Sequence, residues 1–295
     1  MAAFELRPMG VGDILDTAFR LYRARFATFL TIVMIAYVPF GLVQAVIQSA
    51  IGIQQPGLFV RPRAGISAAD NVVSVAAPAM QAPIGGPFDP PMPFQPQNLV
   101  LLVGSVPVLI LLAFTLLPLC QGALTHNVSA TYLGESIGAG ESYSRAAPRL
   151  PRLLAASFLM GLAIMFGFLL CCVPGIIFAF WFSLVSPVVM LEDRGVTESL
   201  GRSRELMRGN IGKAFLLGLV VGVIAFVFSF AMGFAVRLVP WPHPFLPAFV
   251  LVLMQGLIVP ITMAPSILLY YDIRIRKEAF DLQMLSNSIV GRTAA

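Results

Sequence analysis

The chain has 295 residues, of which 58% are hydrophobic and only 11% are charged. Soluble globular proteins carry about 25% charged residues, so this composition excludes a soluble single domain, and the high apolar content excludes a disordered chain. The formal net charge is +5, but in a membrane protein the placement of the charges is more informative than their sum. The composition therefore predicts an integral membrane protein.

Five long runs without Asp, Glu, Lys or Arg predict six transmembrane helices, because a helix needs about 20 apolar residues to cross a bilayer. One run, 153–191, is too long for a single crossing, and Val173-Pro174-Gly175 is expected to turn it into a tight hairpin, since Pro and Gly together end a helix. We therefore predict an all-α, polytopic membrane protein with a single integral membrane domain, 1–295. Its spans are about 27–51, 98–124, 153–172, 176–191, 214–236 and 248–271.

The basic residues are distributed unequally between the two sides of this topology. With the N-terminus in the cytoplasm, 16 of the 19 Lys and Arg residues lie on the inner side, and only Arg61, Arg63 and Arg237 lie outside. An excess of Lys and Arg in the cytoplasmic segments sets the orientation of membrane proteins. The distribution predicts a multi-pass protein of the plasma (inner) membrane with both termini in the cytoplasm.

The two longer connections on the outer side are rich in proline. Residues 52–97 contain nine prolines and five glycines, which predicts an irregular extracytoplasmic loop. The second outer loop holds Trp241, which suits the membrane interface, and His243 between two prolines. His243 is expected to be an exposed loop residue rather than a ligand.

Two segments on the cytoplasmic side have the apolar spacing of amphipathic helices. In 13–26 the predicted apolar face contains Ile14, Leu15, Ala18, Phe19, Tyr22 and Phe26. In 196–211 it contains Val196, Leu200, Ser203, Met207 and Ile211. Such a helix either lies among anionic lipid headgroups, with 13–25 roughly parallel to the membrane, or packs on other cytoplasmic segments of the same chain, and both arrangements can hold at once.

The charged residues of these segments favour helix as well. Asp16 and Arg20 are four residues apart and can pair along one helix face. The C-terminal segment 272–285 predicts a helix that continues from the last span, with three pairs at the same spacing: Asp272–Arg276, Arg274–Glu278 and Lys277–Asp281.

A threefold internal repeat is one interpretation of the pattern. Asp13, Glu141 and Glu198 each open a segment that runs through arginines into an odd-numbered span. The even-numbered spans carry prolines near their cytoplasmic ends: Pro118, Pro187 and Pro265. The other interpretation is that any cytoplasmic linker is basic and amphipathic, and the low residue identity between the units favours it slightly.

Three stretches resemble the membrane domain found with some bacterial glycerophosphoryl diester phosphodiesterases. They are LRPMGVGDILDTAFRLYRARF at the start, VPGIIFAFWFSLVSPVVMLEDRGVTESLGRSRELMRGN in the middle and APSILLYYDIRIRKEAFDLQML at the end. The resemblance implies a polytopic bacterial membrane domain. It does not imply phosphodiesterase activity, because that chemistry resides in a separate soluble barrel domain that these stretches do not resemble.

The residue inventory predicts no catalytic, metal or cofactor site. The sequence contains no H-E-x-x-H, G-x-S-x-G or phosphate-binding glycine loop, and all 14 acidic residues lie outside the predicted spans. Three cysteines and two histidines without C-x-x-C spacing are too few for a zinc site, and Cys171 and Cys172 are expected to act as small apolar residues. The adjacent acids Glu192 and Asp193 are expected to form a solvated turn.

One constellation typical of enzymes stays open. His126 lies near the cytoplasmic end of the second span, and folding could bring Glu192, Asp193 or Glu198 against it. A histidine that is bonded to a carboxylate and faces an open cavity would favour an enzyme.

Three classes of function are compatible with this sequence. The first is a non-catalytic membrane scaffold, anchor or assembly partner, and the third is an enzyme. The second is a transporter or channel, with a path for a lipid or other small molecule between proline-kinked helices. Its polar residues within the spans would be Ser105, Thr115, Ser183, Ser186, Gln255 and Thr262. The expected partners are the lipid bilayer, anionic headgroups at the cytoplasmic face, and a protein partner or second copy of the chain, with no nucleic acid.

Overall fold

The computed structural model describes residues 9–51, 96–170, 172–243 and 245–278. Ten α-helices and one short 3-10 turn account for nearly all of these residues, and no strand occurs among them. The helices are α1 (Val11–Ala24), α2 (Phe26–Ile51), α3 (Pro96–Tyr132), α4 (Ala139–Ala146), α5 (Leu150–Leu170), α6 (Cys172–Trp181), α7 (Val185–Leu191), α8 (Val196–Met207), α9 (Ile211–Leu238) and α10 (Phe245–Glu278), with the 3-10 turn at Ala147–Arg149.

Six helical segments in this part of the chain are long and apolar enough to cross a membrane. They are Phe26–Ser49, Val103–Tyr132, Ala139–Leu170, Val173–Leu191, Ile211–Leu238 and Phe245–Glu278. The prediction of an all-α polytopic membrane protein with six spans is therefore confirmed. The predicted outer loop 52–97 lies outside the described residues, apart from its last two positions, which begin α3.

Helix α3 extends beyond the C-terminal end of the second predicted span, 98–124. The sequence TLLPLCQGALTHNVSATY contains five polar residues after Leu124, yet α3 continues as a helix to Tyr132. The helix tolerates them because Thr125 and Thr131 donate to carbonyls one turn back, Gln121 and Asn127, both at 2.8 Å. Neighbouring helices then bury this polar turn.

The hairpin between the third and fourth predicted spans turns before Val173-Pro174-Gly175, so that predicted position is wrong. Helix α6 already begins at Cys172, and Pro174 fits within its first turn, where a missing N–H does no harm. Gly175 serves packing instead, because a Cβ at Gly167 would lie 2.8 Å from the Gly175 Cα and one at Gly175 would lie 2.6 Å from the Phe168 ring. The two helices touch backbone to backbone here.

Two of the three prolines near the ends of the even-numbered spans do not interrupt their helices. Helices α3 and α10 continue through Pro118 and Pro265. The fourth predicted span is the one that breaks, at residues 182–184 between α6 and α7, and Pro187 again sits in the first turn of the following helix.

The short helices α1, α4 and α8, together with the adjoining ends of the long helices, form the arginine-rich end of the molecule. All three short helices begin in the same way. The residues before α1, α4 and α8 are glycines with extended backbones: Gly10 (ψ 172°), Gly138 (ψ 171°) and Gly195 (ψ 166°). An acidic residue follows each glycine by three positions, where it favours a helix N-terminus. Asp13 accepts from the Gly10 N–H at 2.9 Å and Glu198 from the Gly195 N–H at 3.3 Å, whereas Glu141 pairs with Arg145 at 2.6 Å.

These helices also pack in a cyclic order. Helix α4 packs on α3, α8 packs on α7, and α1 packs on α10. Helices α4 and α8 therefore each cover the end of the preceding hairpin, and α1 covers the end of α10. The common geometry supports three helix-hairpin units, although the residue identity between them is low.

The buried face of α1 is rotated from the predicted one. The protein buries Ile14, Thr17, Ala18 and Leu21, whereas Phe19 is 37% exposed and Phe26 belongs to α2. The rotation arises because α1 packs against both α10 and α9. Tyr22 stays partly buried, its hydroxyl donates to the Leu257 carbonyl at 3.4 Å, and burial raises the pKa of that hydroxyl.

The predicted apolar face of α8 is correct at Ser203 and Met207 but differs at the start of the helix. Ser199, Ser203, Leu206 and Met207 are buried, whereas Val196 and Leu200 are half-buried and Ile211 begins α9. Small serines occupy the closest contacts, and Ser203 donates to the Trp181 carbonyl at 2.7 Å.

A candidate site at the arginine-rich end

A cavity of about 640 Å³ opens at the arginine-rich end, between the last turns of α3, the start of α5 and the end of α7. Helix α3 contributes His126 and Ser129, because its polar last turns stay helical and reach this level. The segment from α4 into α5 contributes three arginines at positions 145, 149 and 152, which share one face at helical spacing. Asp193, just after α7, lies on the opposite wall.

His126 contacts an arginine and not a carboxylate. Its side chain is almost fully buried, at 8% exposure, and its Nε2 lies 3.4 Å from the Arg149 Nη1. Since a guanidinium can only donate, Nε2 is the acceptor, and the proton of a neutral ring is then on Nδ1. A histidine in this state lacks the acid partner that orients a catalytic base.

The three acids that could have met His126 bond elsewhere. Asp193 lies in the same cavity but accepts from Arg152 at 2.6 Å and lies 3.8 Å from Arg149. Glu192 turns away into a separate network, and Glu198 caps the start of α8. The cavity exists as the sequence allowed, but the histidine–carboxylate pair that would mark an enzyme does not form.

Glu192 is not part of a solvated turn, so that prediction is wrong for this residue. Its side chain is 7% exposed and accepts from the Tyr270 hydroxyl at 2.9 Å and from the Arg202 Nε at 3.1 Å. Arg202 also pairs with Glu278, and Arg274 donates to the other oxygen of Glu278 at 3.0 Å. The network joins α7, α8 and α10, which explains why a buried carboxylate is tolerated here. Asp193, by contrast, is exposed as predicted.

The sequence did not indicate that Asp272 is a second buried carboxylate with several partners. Asp272 is fully buried, and its oxygens accept from the Lys213 Nζ at 2.5 Å and from the Met9 backbone N–H at 2.7 Å. The predicted pair Asp272–Arg276 also forms, at 3.1 Å. Lys213 and Arg276 both donate to the Met9 carbonyl as well. This Asp272 cluster fixes the entry to α1 against the start of α9 and the end of α10.

Most of the polar residues proposed for a transport path have a local partner or are exposed. Thr115 and Thr262 donate to carbonyls of their own helices, Ser183 donates to the Phe180 carbonyl at the end of α6, and Gln255 is exposed. The Ser186 hydroxyl lacks a hydrogen-bond partner among the described residues. Neither the cavity at the arginine-rich end nor an apolar groove beside Pro39 includes any of these residues or Ser105.

The remaining candidates are structurally ordinary. His243 is exposed, as expected for a loop histidine. Cys120 is a buried free thiol, while Cys171 lies outside the described residues and Cys172 begins α6. Within the described ranges, no three His, Cys, Asp or Glu side chains come close enough to hold a metal ion.

The helices, the six spans and the charged end together define an all-α polytopic membrane protein. No family model matches the chain, and no solved structure matches it. Over 92 residues it is 34% identical to a UPF0259 membrane protein of Serratia proteamaculans (strain 568), a match that covers 31% of this chain and 37% of that protein. It is also 42% identical over 65 residues to a UPF0259 membrane protein of Sodalis glossinidius (strain morsitans), covering 22% and 26% of the two chains.

The chain thus spans about a third of the length of the curated relatives that it matches. Both relatives are named as membrane proteins, in agreement with the fold, and neither name gives an activity. The resemblance to the membrane domain found with phosphodiesterases stays a prediction.

Proposed function

We propose that this protein is a non-catalytic scaffold, anchor or assembly partner in the bacterial inner membrane, with its arginine-rich end in the cytoplasm. The observation that carries this proposal is the pair of buried ionic networks around Glu192 and Asp272. They bind the short helices α1 and α8 to the ends of the spans, so that this end is a fixed surface rather than a set of loose linkers.

Helix α8 gives that surface its exposed charges. Arg204, Glu205 and Arg208 are exposed along it, and Lys277 of α10 donates to the Glu205 and Arg208 carbonyls at 2.7 and 2.8 Å. Lys277 therefore caps the C-terminal end of α8 and holds it in place. Exposed charges on a rigid helix give partner selection by electrostatic complementarity.

The scaffold function is tested by the size of the complex in native membranes. Solubilised in mild detergent, the wild-type chain should migrate in an assembly, and R208E should release it as a smaller particle while its thermal unfolding is unchanged. The matched control is R20E, on α1, which alters an exposed arginine away from α8. If the wild-type chain migrates at the size of a detergent-bound monomer, the scaffold function is wrong.

The orientation has its own test. In a variant without native cysteines, a cysteine at Ala69 should react with a membrane-impermeant thiol reagent on intact cells, whereas one at Ala295 should not. The opposite labelling pattern would place the arginine-rich end outside.

Reconstitution into vesicles distinguishes the scaffold function from the alternative function, which is a path for a lipid or other small molecule. An apolar groove of about 620 Å³ lies along α2 beside Met34, Val38 and Pro39, and it has the chemistry of a lipid-chain contact. A lipid path requires that purified protein in vesicles accelerates the transbilayer movement of a fluorescent phospholipid. Equal rates in protein-free vesicles would exclude it.

A further inference from the structure

We propose that the cavity at the arginine-rich end binds the phosphate group of a small organic molecule, with Arg145, Arg149 and Arg152 as its donors. This inference is independent of the scaffold function, because it concerns a concave site and not the surface of α8. The cavity volume of about 640 Å³ lies within the range of about 300–1,000 Å³ found for small-molecule sites.

The three arginines are placed for a single anion. Their spacing of four and three residues puts them on one side of the chain as it passes from α4 through the 3-10 turn into α5, and all three line the cavity. Guanidinium groups match the geometry of phosphate oxygens and donate two parallel hydrogen bonds. Two acids, Glu135 and Asp193, also line the cavity, so that its wall keeps a net positive charge.

Arg149 is the preorganised member of the set. Its Nη1 donates to the Met190 carbonyl at 2.7 Å and lies 3.4 Å from the buried His126 Nε2. The side chain is therefore held at the floor of the cavity in a single position. Donors fixed in advance lose less conformational entropy when a ligand binds.

The other two arginines are paired with groups that an anion can replace. Arg152 donates to Asp193 at 2.6 Å, and the Asp193 side chain is 66% exposed. Arg145 donates to Glu141 at 2.6 Å, and that pair is about half exposed. Exposed pairs of this kind contribute little to stability, so exchanging their partner is cheap. Asp193 therefore occupies the position of the anion and competes with it.

Part of the wall is apolar. Ala130, Leu133, Pro148 and Leu191 line the cavity beside the arginines. This surface suits the organic part of a phosphate ester, which a free inorganic anion lacks. The ester is either a lipid headgroup that enters from the membrane or a soluble molecule.

Calorimetry on the purified full-length protein in a non-ionic detergent tests the site with three probes: dihexanoyl phosphatidic acid, phenyl phosphate and inorganic phosphate. We expect saturable binding of at least one ester by the wild type. R145M/R152M should weaken it at least about tenfold, because both arginines would donate charge-assisted hydrogen bonds to the phosphate. The matched control is R20M, which removes an exposed arginine that is likewise paired four residues away in its own helix.

A second variant keeps the test decisive if R145M/R152M folds poorly. D193N removes the competing carboxylate, and asparagine tolerates the positive φ of 49° at this position. It should bind the ester more tightly than the wild type. The site is refuted if no ester binds, if R20M loses as much affinity as R145M/R152M, or if D193N binds no more tightly.

The same titrations distinguish the two sources of the ester. A preference of about tenfold or more for dihexanoyl phosphatidic acid over phenyl phosphate assigns the site to a lipid headgroup. Equal affinities assign it to soluble phosphate esters. Tighter binding of inorganic phosphate than of either ester overturns the role of the apolar wall.

Discussion

The two ends of helices α3 and α10 have opposite surroundings. In α3, residues 122–132 are all buried, whereas none of residues 103–119 is buried. In α10, residues 264–275 are buried apart from Ser266 and Arg274, which are partly exposed, whereas only five of residues 245–263 are buried. Buried polar side chains follow the same division, since Thr125, Asn127 and Asp272 all lie at the arginine-rich end.

The difference shows which contacts hold this fold together. At the opposite end the exposed helix faces are apolar, and lipid is as apolar as they are, so their exposure in a bilayer carries no hydrophobic penalty. At the arginine-rich end the chain brings polar and charged groups together, and each requires a partner in the protein. The stability of the protein is therefore expected to reside mainly at one end.

The largest effect is expected from D272N. The substitution removes the charge that pairs with Lys213 and Arg276 inside the protein, and breaking a buried ion pair costs about 3–5 kcal/mol. Titration with a denaturing detergent should show a large loss of unfolding free energy. The control is D16N, because Asp16 pairs with Arg20 at an exposed site, and it should change stability by under about 0.5 kcal/mol.

The same leucine truncation at the two ends compares them directly. L124A removes a fully buried side chain of α3 and should cost about 2–5 kcal/mol, whereas L170A removes a side chain that is 80% exposed and should have little effect. Thermal unfolding of both variants in detergent measures the difference. A large effect of L170A would show that a second copy or a partner protein covers the C-terminal end of α5.

The close contact between Gly167 and Gly175 should make the α5–α6 hairpin sensitive to any added side-chain volume. G167A places a Cβ 2.8 Å from the Gly175 backbone, which cannot move aside as a flexible side chain can, and overpacking of this kind costs about 1–3 kcal/mol. G161A is the matched control in the same helix, because a Cβ at Gly161 would meet no neighbouring atom within 4 Å. Equal melting temperatures for the two variants would contradict the tight hairpin.

The smallest measurable effect is expected from Y271F. Ser129 and the Tyr271 hydroxyl lie 2.5 Å apart at the buried end, and loss of one such hydrogen bond costs about 0.5–1.5 kcal/mol. The variant should unfold slightly earlier than the wild type. A more stable variant would mean that this polar contact is not among those that hold the end together.

The sequence predicted the spans well because charge-free runs depend only on composition. It failed where a residue's role depends on long-range packing. Asp272 and Arg276 are recognisable as a pair four residues apart, but nothing local indicates Lys213 or the Met9 backbone as further partners, since they arrive from the other helices. Glu192 was assigned to solvent for the same reason, because Arg202 and Tyr270 reach it from distant positions.

The cavity was only half visible in the sequence. His126 was a reasonable candidate, since a histidine at a helix end near acids is typical of a catalytic base. The arginine that meets it, Arg149, lies 23 positions away and could not be assigned to it by spacing. The spacing of Arg145, Arg149 and Arg152 on one face was a signal that could have found the cation set.

The closure of α1 onto α10 has a consequence for the time course of biosynthesis. The contact between Met9 and Asp272 joins positions 263 residues apart, so the docking site of α1 does not exist until almost the whole chain has been made. At about 5–20 residues per second, the ribosome needs on the order of tens of seconds to reach that point. During this interval Ile14, Ala18 and Leu21 lack their final neighbours, and the membrane surface is the nearest apolar medium for them. We expect the amphipathic helix α1 to lie on the membrane surface during this interval and to leave it for α10 once that helix has been made.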